Sequence, residues 1–310
     1  MTSEAPTYFN DKCFRELDET VRAATDAGVW VILTVRSKYG AGQNFDTDPM
    51  SDVFHNTTLR SRFFAMWRHI ADHYRTFDRI AAYEIMAEPR DKAIDVDTVR
   101  EFYEGGCAAA HAADPHTPCM VGGRPYYKLW AFGPELVLRN TTNAIYTFDY
   151  FDPDAWSFGR QSLPQYNMTY NCSTLYPGWE AVCCNGNGSF PGATAADSPV
   201  RFDRHWSAAN LARWAIPVRE QLNVPLFVNQ WGVAYGVGAA SGRYDYMRDL
   251  AELLQTLDIG WAWWTWRGGG DVDWKHGSME IVYDYANGTV GVDHKAVAAL
   301  APSMAKRPQL

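Results

Sequence analysis

Short apolar runs alternate along the chain with longer stretches in which apolar residues recur every three or four positions. Asn10 to Ala27 places Phe14, Leu17, Val21 and Ala24 at helical spacing and predicts an amphipathic helix, capped by Asn10 or Asp11 and stopped at Gly28. Val29 to Val35 is a continuous apolar run ending at Arg36, the pattern of a strand buried on both faces. Lys38 to Asn56 is polar and predicts a loop. Leu59 to Tyr74 predicts a second helix, and Ala81 to Met86 a second strand, closed by Glu88-Pro89. Helices follow at Asp97 to Ala113, Trp206 to Leu222, Tyr244 to Thr256 and His294 to Leu300. Strands follow at Met120 to Gly122, Ala144 to Phe148, Leu226 to Asn229 and Trp261 to Trp266. Residues 152 to about 200 break the rhythm with Pro, Gly, Asn, Ser and three Cys, and predict an inserted loop in a single domain. Strand–helix units in this number predict a parallel α/β protein, with a TIM-type barrel favoured over an open sheet. No glycine-rich phosphate fingerprint follows any strand, which removes the main argument for a nucleotide-binding sheet.

The composition narrows the class. The 310 residues are 47% hydrophobic, enough for one large core. A net charge of -8 gives no electrostatic case for nucleic acid or an anionic membrane, and no apolar run approaches a bilayer span. Thirteen Trp and 17 Tyr favour a carbohydrate partner, because flat rings stack on sugar faces. Six N-x-Ser/Thr sequons, at Asn56, Asn140, Asn167, Asn171, Asn187 and Asn287, point to the secretory pathway, as do Cys172, Cys183 and Cys184 in a polar loop. Residues 1–10 hold neither a basic nor an apolar leader, so a segment preceding Met1 is expected.

Chemistry collects at the strand ends. Period two places Glu84, Met86 and Glu88 on one side of the second strand and Tyr83, Ile85 and Ala87 on the other. Glu88 sits at a carboxyl end, where barrel enzymes keep their catalytic groups. The other strand ends are Arg36, Asp149, Gln230 and Trp264. With Tyr83 to Pro89, Ala113 to Gly123, Val224 to Gly232 and Gly260 to Trp266, they resemble glycoside hydrolase family 5, the cellulase-like retaining glycosidases. The resemblance runs from about residue 10 to 266 and implies a (β/α)8 barrel whose first two strands have no counterpart here.

In that family two glutamates act, one as acid/base and one as nucleophile, roughly 5 Å apart. The resemblance puts Glu88 in the acid/base position and Gln230 in the nucleophile position. An amide is a very poor nucleophile. Ala87 replaces the family's asparagine, Arg36 its third-strand histidine, and Asp149-Tyr150-Phe151 its His-x-Tyr pattern. Trp264 fits the sugar platform, and Arg36, Tyr150 and Trp231 are further expected sugar contacts. Asp149 is either a replacement carboxylate or the ion-pair partner of Arg36. Glu88 is otherwise a structural acid paired with Arg90 or Arg36, and Glu84 an inward acid bonded to a neighbour. Cys107, His111, His116 and Cys119 have spacing that suits zinc, against a Cys107–Cys119 disulfide or two buried thiols. The expected function is binding or hydrolysis of a β-linked glycan, without cofactor or metal. The alternatives are a pseudoenzyme that binds without turnover and a truncated, non-functional fragment.

Overall fold

The computed structural model describes residues 11–36, 50–89, 94–158, 162–163, 168–169, 175–180, 200–234, 242–267, 279–284 and 289–304. They belong to two compact units, 1–147 with 218–225, and 148–217 with 226–310. Arg90, Cys172, Cys183, Cys184 and the sequons at Asn167, Asn171, Asn187 and Asn287 lie outside the described residues.

In the first unit α1 (Asp11–Asp26) leads to strand β1 (Val31–Arg36). Gly28 ends α1 with φ +81°, its N–H bonded to Thr25 O at 2.9 Å and that of Val29 to Ala24 O. This left-handed stop is a conformation glycine adopts at no steric cost. Helix α3 (Thr57–Tyr74) is capped by Asn56, whose side-chain oxygen accepts from the N–H groups of Thr58 and Leu59. It buries Phe63, Trp67, Ala71 and Tyr74, one stripe at helical spacing. Strand β2 (Ile80–Ala87), helix α4 (Val96–His111) and strand β3 (Cys119–Gly122) follow. β1, β2, β3 and the first half of β4 (Ala144–Tyr150) run parallel in that order. Two short 3-10 turns, Leu129–Ala131 and Pro134–Leu136, separate β3 from β4.

The adjacent glycines of α4 have a packing reason. A Cβ at Gly105 would lie 2.4 Å from the Phe64 ring of α3, and one at Gly106 would lie 2.5 Å from Ile85 Cγ2 of β2. Only glycine lets this helix approach both neighbours so closely.

The expected loop from Lys38 to Asn56 contains a short helix, α2 (Met50–His55). Val53 and Phe54 are buried, with the Phe54 ring tilted against Phe102 of α4 at 4.5 Å between centroids, so tertiary burial selects a helix in a stretch whose composition is polar.

The second unit holds the insertion. Its pieces are α5 (Asp154–Ser157), the strand pairs β5 (Ser162–Leu163) with β6 (Met168–Thr169) and β7 (Gly178–Glu180) with β8 (Val200–Phe202), and then α6 (Arg204–Trp214). Trp156, Tyr176, Phe202 and Tyr246 pack ring against ring at 4.9–5.9 Å, and Tyr176 donates to Asp249 Oδ2 at 3.0 Å, so the insertion is pinned to the helix that carries Tyr246 and Asp249. The expected single helix from Trp206 to Leu222 is two, because α7 (Ile216–Leu222) restarts at Pro217, which has no N–H to continue α6. Strand β9 (Leu226–Trp231), helix α8 (Arg243–Thr256) and strand β10 (Gly260–Trp263) complete the alternation, with β9 and β10 parallel. The antiparallel pair β11 (Val282–Asp284) and β12 (Val290–Val292) precedes α9 (His294–Met304). Each of the six expected parallel strands is present.

Candidate active site

Glu88 stands one residue beyond the end of β2, and the structure around it is tightly held. Ile85 O accepts from the Trp67 indole at 2.8 Å, while Met86 O accepts from two buried phenols, Tyr103 at 3.2 Å and Tyr127 at 2.5 Å. The Tyr103 hydroxyl is pushed well above the usual tyrosine range by burial, with the charge of Glu84 adding to it, so it stays a donor. Glu88 itself has φ +48°, so the alternation that relates it to Glu84 and Met86 stops at Ala87. Two further non-glycine residues beside it, Tyr126 and Tyr127, have φ +54° and +52°, and Tyr126 N–H donates to Pro89 O at 2.9 Å. Three left-handed residues at one strand end store strain of the order of 1 kcal/mol each. The chain singles out this corner in its geometry as well as its chemistry. The only hint of it in the sequence is Gly122-Gly123-Arg124-Pro125, a turn-forming run directly after β3.

Arg36 is register partner to Ala87, which puts it at the strand end adjoining Glu88; its side chain lies outside the described residues, as does its proposed pairing with Asp149. Glu84 is buried inside the β2 layer.

In the second unit, Trp231 of β9 meets Trp261 and Trp263 of β10 edge-on at 5.4 and 4.9 Å, so these three rings share one face of the strand pair. Period two then places Gln230, within β9, on the other face, and Trp264 follows the end of β10. Trp231, one of the expected sugar contacts, is fully buried. Trp264 is 41% exposed, and Gln230 is 8% exposed. β10 stops at Trp263, short of the expected Trp266; the next residues continue through backbone bonds from Trp264 N–H to Trp231 O, Ile281 N–H to Thr265 O and Val282 N–H to Trp266 O. The Trp264–Thr265 peptide is cis. Gly232 is required beside it, since a Cβ there would lie 2.3 Å from Trp264 O. Asp149 and Tyr150, at the carboxyl end of β4, are both buried. Burial raises the Tyr150 hydroxyl above its ordinary range, and the Asp152 charge adds to this. Tyr150 is therefore a core phenol.

Cys107 and Cys119 form a disulfide with an S–S distance of 2.07 Å and a Cα separation of 5.7 Å. The zinc reading fails, because both sulfurs are spent on each other. The His111 ring is bonded to Thr117 O at 3.2 Å, and burial holds its pKa below the usual imidazole value. No group of three or more metal-ligating side chains occurs among the described residues. No helix among them is long and apolar enough to cross a membrane. A cavity of about 410 Å³ lined by Arg68, His69, Asp72 and Arg75 lies at the end of α3 that precedes β2, the opposite end from Glu88.

A family profile described as Cellulase (glycosyl hydrolase family 5) matches residues 1–270. The chain belongs to glycosyl hydrolase family 5. Among its relatives is Endoglucanase C of Acetivibrio thermocellus, 22% identical over 247 residues, covering 76% of this chain and 68% of that one. A Beta-xylosidase of Phanerodontia chrysosporium is 26% identical over 291 residues, covering 90% of this chain and 53% of the relative, so the chain spans about half that protein's length. Thermotoga maritima Cel5A, solved in complex with cellobiose, superposes with a TM-score of 0.66 at 16% identity over 96% of this chain and 81% of that one. The cellulose synthase subunit Z of Clostridioides difficile gives 0.67 at 16% identity, over 94% and 81%. The fold is that of a family 5 (β/α) barrel, of which six strands lie among the described residues.

Proposed function

We propose that this family 5 chain binds a β-linked glycan at the carboxyl ends of its strands and does not turn it over by ordinary double displacement. What carries this reading is the residue type at position 230, a glutamine where the family resemblance puts the nucleophile, while the same resemblance finds an acid kept at Glu88. Retaining hydrolysis needs a carboxylate to form the glycosyl-enzyme intermediate, and an amide has neither its charge nor its leaving ability. Trp264 supplies the stacking surface, its exposure suited to a sugar ring. The glycan complex of a structural neighbour and the endoglucanase and xylosidase relatives support the substrate class.

A second reading is favoured by Asp149, a buried carboxyl group at the carboxyl end of β4. It would partner Glu88 in an altered hydrolysis. The two readings part on a panel of β-glucan, mannan and aryl-β-glycoside substrates, with binding followed in parallel. Binding without turnover, and hydrolysis gained in Gln230→Glu, is the expected result. Turnover by the unmodified protein that vanishes in Glu88→Gln would favour the altered pair, and absence of any binding would sink both readings.

A further inference from the structure

Six of the thirteen asparagines are followed two places on by Ser or Thr, with no proline between. Ser and Thr fill 33 of the 310 positions, so thirteen asparagines would meet that pattern only about once or twice by chance. Two of the six, Asn56 and Asn140, lie among the described residues, and both are exposed. Their side chains are placed so that the nitrogen can be substituted without loss to the fold. Asn56 caps α3 through its oxygen, which accepts from Thr58 and Leu59 N–H at 3.0 and 3.1 Å. The cap makes no use of the nitrogen. Asn140 Nδ2 donates to Glu104 Oε2 at 3.2 Å, and a carboxamide nitrogen carries two hydrogens, so one remains for Glu104 after the other is replaced.

The compartment has independent support. The Cys107–Cys119 disulfide is buried on both sides, and such bonds form and persist in oxidising surroundings such as the lumen of the secretory pathway. That lumen is also where asparagine-linked glycans are attached.

We propose that Asn56 and Asn140 are N-glycosylation sites. The carboxamide nitrogen attacks the anomeric carbon of a lipid-diphosphate-linked oligosaccharide. The carbon–nitrogen bond forms as the carbon–oxygen bond to the diphosphate breaks; the lipid diphosphate leaves with the electron pair, and the nitrogen gives up one proton. Thr58 and Thr142 supply the third-position hydroxyls of the two acceptors.

The test delivers the protein to the secretory pathway of a eukaryotic host and releases glycans with an amidase in heavy-oxygen water. Labelled aspartate at positions 56 and 140 is the expected result, with one glycan's mass lost in each of Asn56→Gln and Asn140→Gln. Asn56→Gln also weakens a helix cap, so Thr58→Ala and Thr142→Ala are run beside them; these remove the acceptors and leave both asparagines in place. Alkylation before reduction should leave Cys107 and Cys119 unmodified. Unlabelled peptides at both asparagines, from a host that glycosylates a control protein, would overturn the proposal. Free thiols at 107 and 119 would remove its compartment argument and count equally against it.

Discussion

A carboxyl group at position 88 comes with a backbone few non-glycine residues adopt, and the phenols of Tyr103 and Tyr127 hold the carbonyl of Met86, two residues before it. Alternation along β2 identifies the strand and its acid, but it carries no information about the turn beyond Ala87. That turn depends on contacts from residues 123–127, some 35 positions later in the chain. The same limit explains Trp231. Its neighbour Gln230 marks it as part of a site, yet period two and the rings of Trp261 and Trp263 send it into the core. Two predictions belong to this scale. Trp264→Ala should weaken binding of a cello-oligosaccharide about tenfold, the loss of one stacking contact, with the thermal midpoint little changed; calorimetric titration measures it. Tyr83 donates to Asp114 at 2.8 Å in the core. Burial raises the Asp114 carboxyl, and the hydrogen bonds from Thr117 and Tyr83 outweigh it, so its pKa lies below the ordinary value. A depressed carboxyl pKa stabilises the fold above the unfolded value of 3.8 and is lost as pH falls through the folded one. Tyr83→Phe should therefore cost about 2 kcal/mol near neutral pH, with the gap to the parent protein narrowing below about pH 4. Urea unfolding at several pH values decides it.

Among the elements, hydrophobic spacing alone makes the alternating order of helices and strands legible, since α3, α4 and α8 bury apolar residues at helical spacing and the parallel strands are short runs of mostly apolar residues. What it misses is set by tertiary burial or by a single backbone feature. α2 exists because Val53 and Phe54 are buried, Phe54 against the Phe102 ring, and α6 gives way to α7 because Pro217 has no N–H. The disulfide joins the middle of α4 to the first residue of β3 across a sequence separation of 12, closing one helix–strand connection on itself. A loop of that size stabilises chiefly by restricting the unfolded chain. Replacing both cysteines by serine should lower stability by about 3 kcal/mol, and reducing agent should have the same effect on the parent protein and none on the variant, as denaturant curves would show. Asn56→Ala removes two bonds at the start of α3 and should cost about 1 kcal/mol, measured the same way.

For the molecule as a whole, a buried ion pair joins α8 to the residue that opens α9, and its arginine also bonds the chain two residues past β9. Arg243 of α8 donates to Asp293 Oδ2 at 2.5 Å and to Val233 O at 3.1 Å, while Asp293 accepts from Ala296 N–H and so opens α9. Both partners are almost wholly excluded from water. Asp293→Asn should destabilise by about 3 to 5 kcal/mol, because it leaves a guanidinium buried without its counter-charge; Arg243→Met together with Asp293→Leu should recover much of that loss, and thermal melts of the three variants compare them. The ribosome makes Arg243 long before Asp293. Until Asp293 emerges the Arg243 guanidinium stays in water, so the buried bonds it makes to Asp293 and to Val233 O form late in synthesis.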